Sequence, residues 1–108
     1  EMRPGEPVKE AVARKLSILG YDVLMEPETE LPIDLAAERP SAAPHHLVVR
    51  IMERLSLADA EQLVQMGRQL DVEQVLVVAD QADDGARQAL AASKVTWFRP
   101  RELGTLRL

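Results

Sequence analysis

The sequence predicts an α/β fold, a mixed central sheet flanked by helices, with its elements in the order α-β-β-β-α-β-α-β. Three observations predict it. Residues 7–19 and 57–70 repeat their apolar side chains at helical spacing. The runs HLVVRIM (46–52) and EQVLVVA (73–79) are mostly apolar and β-branched, the pattern of central strands buried on both faces. Hairpin-type segments come first and helical crossovers later, so antiparallel and parallel pairings share one sheet.

The first helix carries Val8, Ala11, Val12, Leu16 and Leu19 on one stripe, with Pro7 in its first turn and Gly20 as a left-handed stop. Lys9, Glu10, Arg14 and Lys15 lie off that stripe and are expected to face solvent. Residues 21–25 form a short β-prone run, and 26–31 are polar and proline-bearing. Residues 32–37 predict a second strand, with Pro32 tolerated at its start. ERPSAAP (38–44) has hairpin-loop chemistry. In the strand 46–52, Leu47, Val49 and Ile51 point one way and Val48, Arg50 and Met52 the other.

Ser56 followed by Asp59 predicts a capping box at the start of the second helix. Gly67 inside that helix costs about 1 kcal/mol in propensity relative to Ala and marks close packing. Asp83 or Asp84 caps a third helix over 85–93, residues 94–99 form a last strand, and Pro100 opens a terminal turn through Leu103. On the last strand Trp97 and Phe98 alternate faces, one in the core and one at the surface.

The 108 residues are 46% hydrophobic and 29% charged, which excludes a disordered tail. No apolar run approaches the ~18 residues of a membrane span, and no leader pattern is visible. With no cysteine, disulfides, thiolate zinc sites and Cys nucleophiles are excluded. Thirteen Lys and Arg against eighteen Asp and Glu leave a net charge of −5, whereas a nucleic-acid binder shows a basic footprint. One Trp, one Tyr and one Phe offer little for base stacking. The expectation is one cytoplasmic domain over residues 1–108, with residues 1–5 a disordered end.

Four stretches carry a further signal in their order and spacing. They are the helix ending in LSILGYDVL, the acidic hairpin strand PIDLAA, the strand HLVVRIM, and the helix-strand unit SLADAEQLVQMGRQLDVEQVLVVA. Together they resemble the PD-(D/E)XK nuclease superfamily, the restriction-endonuclease-like fold, and within it Holliday-junction-resolvase-type and Mrr-type members. The last stretch also resembles domains that accompany helix-turn-helix regulators in archaea, although no DNA-reading helix pair is visible here.

The resemblance implies a site. In active members a hairpin Asp and a following Glu-x-Lys hold Mg²⁺ and activate water for phosphodiester hydrolysis. Asp34 stands where the family Asp would, with Ile33 interrupting the usual Pro-Asp pair. The family Glu and Lys would fall at positions 50 and 52, where this sequence has Arg50 and Met52. A fixed cation then stands where the metal belongs. The resemblance therefore implies no catalytic residue and no metal or cofactor, with Asp34, Arg50 and Met52 as vestigial positions. Arg50, on a face at least partly covered by a helix, is expected to pair with Asp34, which the family geometry sets on the adjacent hairpin strand.

The alternative is a divergent Mg²⁺-dependent nuclease that keeps Asp34 and recruits displaced partners: Glu53 just beyond the strand, Gln62 or Gln65 from the helix, and Glu10 from the first helix. For each of these four an ordinary solvated side chain is the stronger reading, and the pleat sets Glu53 opposite Arg50. The acids Asp22, Glu26, Glu28, Glu30, Asp34 and Glu38, uninterrupted by Lys or Arg, predict a solvated rim. Arg50, Arg54 and Arg68 could form only a small basic patch. His45 and His46 have no further ligands at metal-site spacing and predict two histidines near a sheet edge. The stretch 80–85 lacks the ligands of a calcium loop and predicts a strand-to-helix loop.

These readings favour a non-catalytic endonuclease-like module. Its expected partner is a second copy in a two-fold dimer, or another protein of a DNA-processing or transcription-regulating assembly. A Rossmann- or receiver-like domain, suggested by EQVLVVAD, is disfavoured by the early hairpin and the lack of a phosphate loop.

Overall fold

A computed structural model describes residues 5–107. The expected disordered end lies, for residues 1–4, outside the described residues, and Gly5 is a turn residue at φ 75°. The elements are α1 (Val8–Ile18), β1 (Asp22–Met25), β2 (Leu35–Arg39), β3 (His45–Leu55), α2 (Leu57–Gln69), β4 (Gln74–Ala82), α3 (Asp84–Leu90), β5 (Val95–Phe98) and a closing 3-10 turn, Pro100–Thr105. This is the predicted order.

The sheet runs β1-β2-β3-β4-β5. The first three strands pair antiparallel, and β3-β4 and β4-β5 pair parallel, as the hairpin-then-crossover sequence requires. On one face α1 packs Ala11, Val12 and Leu16 against Leu35, Ala37, Leu47, Val49, Leu76, Val78 and Phe98, and Leu103 of the closing turn completes the layer. On the other, α2 and α3 bring Ala60, Leu63, Met66, Ala86 and Leu90 onto Val48, Val75, Val77, Ala79 and Val95. Residues 75–79 of β4 are buried on both faces, which is why the run is apolar without alternation.

Several boundaries move. Pro7 is the N-cap of α1, and Lys9, Arg14 and Lys15 are not free in solvent. Lys9 pairs with Glu26, Arg14 with Glu6, and Lys15 Nζ donates to the Gly104 carbonyl; only Glu10 of that set is exposed. Gly20, at φ 93°, ends the helix as expected.

The second strand starts at Leu35, not at residue 32. Pro32 has no N–H to give a ladder, and Ile33 N–H turns back onto the Leu31 carbonyl at 2.8 Å. At its other end the strand keeps Glu38 and Arg39, which had read as loop, because they pair with His46 and His45. The third strand extends to Leu55 and the fourth to Ala82, since the parallel ladder continues through Arg54↔Gln81 and Leu55↔Ala82. Glu53 is thus inside β3 and not beyond it, and Asp80 and Gln81 are strand, not loop.

The third helix stops at Leu90, with Ala92 at φ 59°, and β5 covers only 95–98. Asp83 holds the N-cap position of α3, but its carboxylate binds Arg54 and makes no capping bond. At α2 half of the capping box forms. Asp59 N–H donates to Ser56 Oγ at 3.2 Å, while the Asp59 carboxylate, shorter than Glu, takes the Ser56 hydroxyl at 2.9 Å. Phe98 is the core member of the aromatic pair; half-buried Trp97 donates to the Ala79 carbonyl and stacks under Arg99.

Candidate functional site

Asp34 lies one residue before β2, where the chain has turned at Pro32-Ile33 and is entering the sheet. Its N–H donates to the Val49 carbonyl at 2.8 Å, and its carbonyl accepts from Glu26 N–H at 3.1 Å. The carboxylate Oδ2 accepts the Ile51 N–H at 2.7 Å and lies 3.4 Å from Arg50 Nη1. Because β2 begins only at Leu35, this carboxylate stands in for the backbone carbonyl that a longer strand would offer Ile51.

The structure brings Asp34 and Arg50 together as expected, 3.4 Å apart. The pair is partly covered, with the Arg50 side chain 34% exposed and that of Asp34 28%, so the guanidinium keeps water within reach and needs no full set of buried acceptors. Met52 is half-buried and packs into the apolar cluster beneath α2, the role of a thioether and not of an ammonium.

The displaced candidates do not assemble around Asp34. Glu10 is exposed on α1, whose packing face is the one with Leu47 and Val49, across the sheet from the Val48 and Met52 layer. Glu53, Gln62 and Gln65 are exposed. Among the described residues no three His, Asp or Glu side chains come together as a metal could use. With the Arg50 guanidinium 3.4 Å from it, the Asp34 carboxylate is a single acidic ligand facing a fixed cation, a poor donor set for a divalent metal ion. The small basic patch is also largely neutralised. Arg50 faces Asp34, Arg54 meets Asp83 at 2.7 Å, and Arg54 and Arg68 are both exposed.

A polar row crosses the sheet at the start of β3, on the middle strand and not near an edge as the sequence suggested for its histidines. His46 Nε2 lies 2.7 Å from Glu38, and its backbone N–H donates to Glu73 at 2.7 Å. The hydrogen bond to Glu38 holds the imidazole pKa above its ordinary 6.5, and the His46 N–H holds the Glu73 carboxyl below its ordinary 4.5. His45 meets Tyr21 edge-on at 5.9 Å, and the Arg39 guanidinium lies over that ring at 4.9 Å. The Tyr21 hydroxyl is buried without a hydrogen-bond partner, and burial raises its pKa. Of the acidic run, Asp22, Glu26, Glu28, Glu30 and Glu38 are exposed, as a solvated rim requires.

One feature escaped sequence reasoning. Beside the polar row, a cleft of about 430 Å³ opens over β1, β2 and β3, floored by Leu24, Ala36 and Val48 and walled by Val72. The even-numbered parity of Leu24, Ala36 and Val48 in three successive strands is a signal that could have found it.

Scans against protein-family models and against curated proteins find no match. Solved structures do match. The chain is similar to a protein of unknown function, AF1548, with a TM-score of 0.63 and 16% identity over 85% of this chain and 57% of that one. It is likewise similar to a repair endonuclease from Pyrococcus abyssi, with a TM-score of 0.64 and 14% identity over 92% of this chain and 47% of that one. The chain thus spans about half the length of the structures it matches. The fold is restriction-endonuclease-like.

Proposed function

We propose that the chain is a non-catalytic endonuclease-like domain that works as an association or regulatory module in a DNA-processing or transcription-regulating assembly. The observation that carries this reading is the engagement of Asp34. Its carboxylate satisfies a backbone N–H and faces a guanidinium that cannot lose its charge, so the position that would hold metal serves the sheet. The net charge of −5 and the acidic rim also weaken any hold on a phosphate backbone.

The test is cleavage of plasmid, single-stranded and branched DNA with Mg²⁺ or Mn²⁺, backed by calorimetric metal titration. No nicking and no metal heat are expected. Metal-dependent nicking that disappears in Asp34→Ala would replace this reading with that of a divergent nuclease. Association with a second copy belongs to the same proposal, and light scattering at high micromolar concentration should return the mass of a dimer.

A further inference from the structure

We infer that the cleft over β1–β3 is a docking groove for a basic amphipathic helix, a partner segment with an apolar stripe flanked by Lys or Arg. The inference rests on the association reading above and names the chemistry of the partner.

The two faces of the sheet are covered unequally. On the first, α1 reaches the hairpin edge, and Val23 of β1 packs into its cluster. On the second, the cluster beneath α2 and α3 draws its buried strand residues from β3, β4 and β5, and from the hairpin side only Ile33 and Ala36 pack against it, both partly buried. The register Leu24↔Ala36↔Val48 continues across β1, β2 and β3 on that second face, apolar throughout, while burial falls toward the edge. Val48 is buried, Ala36 half-buried and Leu24 58% exposed. Val72, from the α2–β4 connection, forms the wall nearest the helix layer. Two strand spacings make this floor about 10 Å wide, the diameter of one α-helix, so a helix laid beside α2 would complete the layer.

Charge selects the occupant. The lining holds three acids, Asp22, Glu38 and Asp71, against one base, His46, and no Lys or Arg. Glu38 is bound to His46, while Asp22 and Asp71 stand exposed on opposite sides of the floor. A second copy docked on this face by a two-fold axis would set acidic rim against acidic rim, which costs free energy. Nucleic acid and anionic lipid headgroups meet the same repulsion. A helix carrying Lys or Arg beside its apolar stripe gains on both counts, burying Leu24 and pairing the rim.

The experiment uses a fluorescein-labelled synthetic peptide of about 15 residues, ~22 Å as a helix, with Leu on one face and Lys on the other. Fluorescence anisotropy should show saturable binding that weakens with salt. Leu24→Lys should weaken it about tenfold or more, because it removes the buried side chain and adds a like charge. Asp22→Asn with Asp71→Asn should flatten the salt dependence. Ile18→Lys, an equal change at an exposed apolar residue on α1, should leave binding unchanged.

Loss of affinity that is equal in Leu24→Lys and Ile18→Lys, or binding indifferent to both, overturns the inference. So does equal binding of a peptide with Glu in place of Lys. A dimer that Leu24→Lys dissolves would show the face to be a self-interface and also overturn it. The two proposals fail separately: DNA cleavage with intact Leu24-dependent peptide binding removes the non-catalytic reading alone. Absence of both cleavage and peptide binding removes the groove alone.

Discussion

At the residue scale, Asp34 shows how a side-chain carboxylate can complete a sheet. Its shorter contact is to the Ile51 N–H, at 2.7 Å, and the longer one is to Arg50, at 3.4 Å. Both side chains are about a third exposed, so the ion pair is screened, while the backbone bond has no ready replacement. Asp34→Ala is therefore expected to cost about 1–3 kcal/mol, by stranding a ladder donor. Arg50→Ala should cost less than about 1 kcal/mol. Urea unfolding of the two variants decides the ranking; an Arg50→Ala loss equal to that of Asp34→Ala would mean the ion pair dominates.

His46 and Glu73 make stability depend on pH in opposite directions. The imidazole pKa is raised in the folded state, so its contribution is present in full below about 6.5 and is lost as pH rises through the folded value. Glu73 is depressed, so its contribution is present above about 4.5 and lost as pH falls through its folded value. The two contributions overlap in full between those limits. An NMR titration should place His46 above 6.5, and Glu38→Gln should move it down, because the Glu38 hydrogen bond is the leading cause. An unmoved titration in that variant would assign the shift to Glu73 instead.

At the element scale, α2 depends on one close approach. A Cβ on Gly67 would meet Val75 Cγ2 at 3.3 Å and Lys94 Cγ at 3.4 Å. Lys94 is a flexible surface chain that can give way, whereas Val75 is fully buried in the strand beneath. Gly67→Ala should change stability by less than about 1 kcal/mol, the gain in helix propensity offsetting the squeeze. Gly67→Val adds two methyl groups to the Ala side chain and has no such offset, so a loss of about 2 kcal/mol or more is expected in thermal or urea unfolding. A Gly67→Val variant as stable as Gly67→Ala would show that β4 yields.

Elements were legible where periodicity and burial agree. The α1 stripe, the cap at Ser56 and the two-sided run in β4 each read directly from residue type. Boundaries were lost where pairing, not composition, decides them. Glu53, Arg54, Asp80 and Gln81 look like loop residues, yet they lie inside β3 and β4, whose parallel ladder runs on through Arg54↔Gln81 and Leu55↔Ala82. Residues 32–34 look like strand, yet Pro32 and the Ile33 turn keep them out. Strand alternation placed Arg50 beside Val48 and Met52, and the resemblance supplied Asp34 as its partner. The Asp34 bond to Ile51 N–H was not legible, because it depends on β2 starting only at Leu35.

At the scale of the whole molecule, the same unequal covering that opens the cleft should grade the stability of the sheet. β4 lies between two strands and under helices on both faces, and its residues 75–79 are buried. β1 is an edge strand of four residues with Leu24 and Met25 exposed, tied by one antiparallel neighbour and, on one face, by α1. Opening β1 with the polar segment that follows it uncovers little apolar surface, whereas opening β4 requires both layers to separate. Native-state hydrogen exchange should therefore find the slowest amides at 75–79 and on the facing part of β3, at the free energy of global unfolding. The amides of β1 should exchange through a smaller, sub-global opening that leaves α2 and α3 protected. Adding the amphipathic peptide should slow β1 selectively if a helix completes the second layer, because the floor it covers is the part of the sheet that opens first. Equal protection of β1 and β4 in the free chain would mean that the hairpin edge draws more stability from α1 than its packing accounts for.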